Sequence, residues 1–60
     1  MKPTPKQIKE ARFRACIPQT KAAIVVGVSL STWKRWEAGK TAMNPAAYEL
    51  FLLKTKQKEA

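Results

Sequence analysis

Prolines and glycines cut this sequence into short pieces, and that punctuation limits its fold more than any other feature. Proline cannot continue a helix interior, and glycine is the natural residue for a left-handed stop. Pro5, Pro18, Gly27, Gly39 and Pro45 therefore leave room only for brief helices. Several breaks carry their own start signal. Thr4-Pro5-Lys6-Gln7 reads as an N-cap, a proline in the first turn and a glutamine that reaches back to the cap. Ser29 follows the Gly27 stop as a cap, and Asn44-Pro45 repeats the cap-plus-proline pattern.

These signals predict an all-α fold of four helices, or five with a short extra turn, in a single domain spanning 1–60. The first helix begins at Pro5 and aligns Ile8, Ala11, Arg12 and Ala15 on one stripe. Arg12 is the odd member of that stripe and calls for a carboxylate partner if it is buried. Pro18 redirects the chain, and Gln19–Val26 makes two turns, although Ile24-Val25-Val26 can also be read as a strand. Leu30–Ala38 follows. A last helix covers about 45–57, with Tyr48, Phe51, Leu52 and Thr55 on one stripe and a polar end, Thr55–Ala60, expected to fray. Leu50 and Leu53 lie outside that stripe and widen the apolar surface.

Composition narrows the function. Sixty residues carry 12 Lys+Arg against 4 Asp+Glu, a net charge of +8, while 45% apolar content is ordinary for a folded domain. With no histidine and one cysteine, Cys16, there is no zinc-site pattern and no internal disulfide. Nothing resembles a catalytic constellation, so the chain is expected not to be an enzyme and to need no metal or cofactor. It offers no apolar run of the roughly 20 residues that span a bilayer and no signal-peptide core, so a cytoplasmic location and no membrane partner are expected. A small-molecule ligand is not evident. A compact basic domain points first to nucleic acid.

The charge is unevenly placed. Lys2, Lys6, Lys9, Arg12 and Arg14 precede residue 16 with only Glu10 against them, and 16–32 holds only Lys21. Lys34, Arg35 and Lys40 then meet Glu37. A merely solubilising surface is the plain alternative. The segment 19–38 argues for more, because it meets the physical requirements of a helix-turn-helix. Ala22 and Ala23 allow close helix contact, Gly27 makes the turn, and Val26, Val28, Trp33 and Trp36 anchor the inner face. The two tryptophans could stack on bases, but their i, i+3 spacing at anchor positions favours a core role.

The run from Ile8 to Pro45 resembles the Cro/phage-repressor type of helix-turn-helix, the XRE family. The likeness rests on Gln19-Thr-Lys-Ala-Ala, Gly27-Val28-Ser29, and Thr32-Trp33-Lys34-Arg35-Trp36-Glu37-Ala38-Gly39-Lys40. It implies a lambda-repressor-like fold and a sequence-specific, double-stranded-DNA-binding transcription regulator. The expected role is repressor or autorepressor, bound as a dimer to a palindromic operator in a bacterial host cell or phage-infected bacterium. Phage, plasmid, antitoxin and anti-CRISPR-associated settings all suit it. The implied base-reading positions are Ser29, Leu30, Ser31, Thr32, Lys34 and Arg35. Arg35 suits a bidentate contact to guanine, and Leu30, expected to be exposed, suits a thymine methyl or is simply a surface leucine. Ser31 and Thr32 read bases or cap the helix, and Lys34 meets a base or a phosphate. Gln19, by its N–H and side chain, and Lys40 are the implied phosphate contacts, and Gln19 is also implied to brace the recognition helix. Glu37 is expected to pair with Arg12 as a structural tie.

Three positions depart from the family pattern. Cys16 stands in place of a glycine, Pro18 stands in place of a Ser/Thr cap, and one helix follows the motif where many relatives have two. Leu50 and Leu53 are accordingly the candidates for a rebuilt dimer interface. The competing reading is a small basic RNA-binding protein, which charge alone fits equally well. A membrane-active amphipathic peptide fits poorly with helices this short.

Overall fold

The computed structural model describes residues 2–57. Its four helices are α1 (Pro5–Ala15), α2 (Gln19–Val26), α3 (Leu30–Ala38) and α4 (Pro45–Lys54). Among the described residues there is no strand, and Ile24-Val25-Val26 lies within α2. The fold is a small all-α helix-turn-helix domain, with α2 and α3 as the motif and α1 and α4 packed around it.

The starts follow the local chemistry. Thr4 and Gln7 close a reciprocal capping box over α1. Ser29 Oγ accepts the Thr32 N–H at 3.2 Å to cap α3, and Asn44 Oδ1 accepts the Ala46 N–H at 2.8 Å to cap α4. Gly27 (φ 74°) and Gly39 (φ 78°) end α2 and α3 in the left-handed conformation. Cys16 adopts the same conformation (φ 58°) at the end of α1, at a cost that a glycine there would not incur.

Trp33 occupies the centre of the core, fully buried with its ring 5.7 Å from Trp36 and 5.1 Å from Phe51. The room for two indoles comes from Ala11, Ala22 and Ala23, all buried where the helices meet. Ile8, Met43 and Leu52 complete the buried set, with Val25, Val26, Val28 and Tyr48 partly buried around it. An aromatic of this kind is worth about 3–5 kcal/mol against alanine, a large share of a small domain's total stability.

The end of the chain differs from expectation. α4 stops at Lys54, short of 57, because the Thr55 Oγ1–H turns back to donate to the Phe51 and Leu52 carbonyls (2.7 and 3.3 Å) and Lys56 enters the left-handed region (φ 60°). Residues 55–57, expected to fray, are hydrogen-bonded back onto the fold. The Gln57 N–H donates to Leu52 O at 2.8 Å, and its side-chain amide donates to Ala11 O of α1 at 2.9 Å. The rest of the expected fraying end, 58–60, lies outside the described residues. No helix among the described residues is long and apolar enough to cross a membrane.

Candidate nucleic-acid interface

α3 buries Trp33, Trp36 and Glu37 and turns Ser31, Lys34 and Arg35 outward. The outward three stand at i, i+3 and i+4, so they share one face. The helix's single acid is on the buried side, which leaves the exposed face basic and polar without internal neutralisation. Ser29 is exposed and Thr32 half-buried, and their hydroxyls lie 3.0 Å apart. Both belong to the cap. Leu30 is half-buried rather than exposed, because the first residue of α3 sits beside the inner face, one turn from Trp33. Lys40 follows Gly39 as an exposed residue, its N–H held by Arg35 O at 3.0 Å.

Glu37 is the point where three helices are tied together. Arg12 of α1 donates to both its oxygens, Nε to Oε2 at 2.6 Å and Nη2 to Oε1 at 3.1 Å. Gln19 Nε2 of α2 donates to Oε1 at 3.2 Å, and the Trp33 indole N–H donates to Oε2 from one turn back. Arg12 Nη1 also donates to Ile17 O at 3.2 Å, which holds the α1–α2 turn. Burial pushes the Glu37 carboxyl upward, but hydrogen bonds from Arg12, Trp33 and Gln19, together with the Arg12 charge, outweigh it and hold the group below its ordinary value. The carboxylate therefore stays ionised with four donors around it, which is the condition for a buried charge to be tolerated.

The expected Arg12–Glu37 pair forms, and Gln19 braces the recognition helix through Glu37. The Trp33 donor is the contact the sequence reading lacks, and the i, i+4 spacing of Trp33 and Glu37 is the signal for it. The Trp33 and Gln19 donors limit what a charge swap can restore. Exchanging the Arg12 and Glu37 charges cannot rescue much stability, because a lysine at 37 would leave the Trp33 and Gln19 N–H groups facing a cation. The Gln19 side-chain amide is engaged inward on Glu37, which leaves its backbone N–H at the start of α2 as the part open to the expected phosphate contact. Pro18 supplies no side-chain cap there, leaving the first-turn N–H groups of α2 without a capping side chain.

The candidate dimer residues lie on α4. Leu53 is 73% exposed and Leu50 39%, and Ile24 on α2 is likewise exposed. Phe13 is exposed on α1 with the Arg12 guanidinium 4.9 Å from its ring centre.

No family model matches the chain. Over 54 residues, 90% of this chain, it is 39% identical to the type II methyltransferase M.MspI of Moraxella sp. The chain spans only about 13% of that protein's length.

Proposed function

We propose that the domain is a sequence-specific double-stranded-DNA-binding regulator, a repressor or autorepressor acting as a dimer on a palindromic operator in the bacterial cytoplasm. The observation that carries this reading is the outward face of α3. Ser31, Lys34 and Arg35 project together from a helix whose inner face is locked by Trp33, Trp36 and Glu37. A rigid, narrow helix with a basic outer face fits the major groove of B-DNA. Arg35 pairs bidentately with guanine, a contact worth about 1–3 kcal/mol of discrimination. The start of α2 and Lys40 hold flanking phosphates, which position the helix without reading sequence. Ser29 and Thr32 shape the helix start through the cap. Leu30 presents its exposed half to a thymine methyl. The domain itself does no catalysis.

Two copies joined through Leu50 and Leu53 would place their recognition helices about 34 Å apart, one turn of DNA. The match to a methyltransferase supports a second reading in which a unit of this kind serves as a binding module within a larger enzyme. Both readings give α3 the same task.

Selection of bound sites from random duplex DNA at fixed salt tests the proposal, with duplex RNA as competitor. The expected outcome is an enriched palindrome with half-sites one helical turn apart and little competition from RNA. No enrichment, with RNA competing as well as DNA, would replace this reading by the RNA-binding one.

A further inference from the structure

α1 is tied to α3 at two places along one flank. At its start the Pro5 ring lies against Gly39, so closely that a Cβ at 39 would sit 3.2 Å from Pro5 Cγ. Two turns later Arg12 grips Glu37. Lys9 lies between these ties, three residues before Arg12 and therefore on the adjoining position of the same flank. It is exposed, and no acidic residue lies one turn away on either side. Lys6 differs in this respect, since Glu10 is four residues on.

The two ties also bracket Lys9 between two of the proposed phosphate positions. The Glu37 end adjoins Gln19 and the start of α2. The Gly39 end leads directly into Lys40. The two ties pack α1 against α3, which gives Lys9 a set position relative to the recognition helix.

We propose that Lys9 is a fixed phosphate contact of the DNA interface, engaging the backbone of duplex DNA between the start of α2 and Lys40. The proposal rests on the reading of α3 as the DNA-facing helix, and gives α1 a part in the footprint in place of diffuse attraction.

The test compares equal losses of charge at different positions. Binding of a fluorescent mixed-sequence DNA duplex is measured from low to high salt for wild type, Lys9→Gln, Lys9→Arg, Lys40→Gln and Arg14→Gln. Arg14 is also exposed but lies five residues beyond Lys9, across the helix. Lys9→Gln should reduce the slope of log affinity against log salt by about 0.9, as Lys40→Gln does, because one phosphate contact is lost. Lys9→Arg should keep the wild-type slope, and Arg14→Gln should leave it nearly unchanged. If Lys9→Gln behaves like Arg14→Gln while Lys40→Gln lowers the slope, the Lys9 contact is refuted and the α3 reading stands. If none of the variants alters the slope, both fail. Superimposable circular-dichroism melts show that the variants compare folded proteins.

Discussion

The two turns that flank α2 solve the same problem by different means. Between α2 and α3 the solution is local. Gly27 takes the left-handed conformation without strain, its N–H and that of Val28 close onto α2 carbonyls, and Ser29 caps α3. Between α1 and α2, Cys16 takes the glycine conformation at a steric cost, and Pro18 gives α2 no side-chain cap. That turn is held from a distance instead. Arg12 holds the Ile17 carbonyl, and Glu37 holds Arg12 and Gln19. One turn thus depends on its own residues, whereas the other depends on a carboxylate in α3.

Removing that carboxylate's charge should therefore have the largest effect. Glu37→Gln leaves the Arg12 guanidinium, mostly buried, without its counter-charge, a change that costs about 3–5 kcal/mol. In a domain of this size the melting temperature should fall by more than about 12 °C, or the chain should be unfolded at 25 °C. A drop below about 5 °C would mean that the α1–α2 turn holds itself together after all.

The same dependence sets the response to acid. Glu37 titrates below its ordinary value in the folded state, so the unfolded chain takes up this proton first as pH falls. The stability it contributes is complete above the unfolded value of about 4.3. It is lost as pH drops further, through the depressed folded value. Urea midpoints should thus hold level from pH 7 to near 5 and decline below, and the decline should be shallower in Glu37→Gln. Parallel acid limbs in the two proteins would contradict the assignment.

The smallest effects should be opposite in sign. Gly27→Ala meets no neighbouring atom, so its cost is the left-handed backbone alone, about 1 kcal/mol. Cys16→Gly relieves the corresponding strain and should stabilise by a similar or smaller amount. Chemical denaturation resolves both. Destabilisation by Cys16→Gly would show that the thiol side chain supports the turn.

What could be read from the sequence divides along the same line. The starts of α1, α3 and α4 and the ends of α2 and α3 were legible because Thr4-Pro5, Ser29, Asn44-Pro45, Gly27 and Gly39 act on their nearest neighbours. The burial of Trp33 and Trp36 was legible from spacing. Met43 was not, since a methionine in the α3–α4 connection has no periodicity to mark it, yet it is fully buried. Nor was the Gln57 amide on Ala11, a contact across 46 residues that turns an expected fraying end into a clasp. Leu30 was placed too far outward for a related reason, because the first residue of a short helix is covered by whatever packs beside it. On the proposed interface, Arg35 and Lys40 could be named from pattern. Lys9 has no such pattern, because its place depends on the Pro5–Gly39 and Arg12–Glu37 contacts that set α1 against α3.

If α3 reads duplex DNA through its outward face, Arg35 is the side chain on which that reading depends most. Sites selected from random duplex DNA by wild type and by Arg35→Ala give the direct comparison. Arg35 lies on the solvent side, so the variant should fold normally while losing preference for guanine at one position of each half-site and keeping the rest of the motif. Identical selected motifs for the two proteins would contradict the claim.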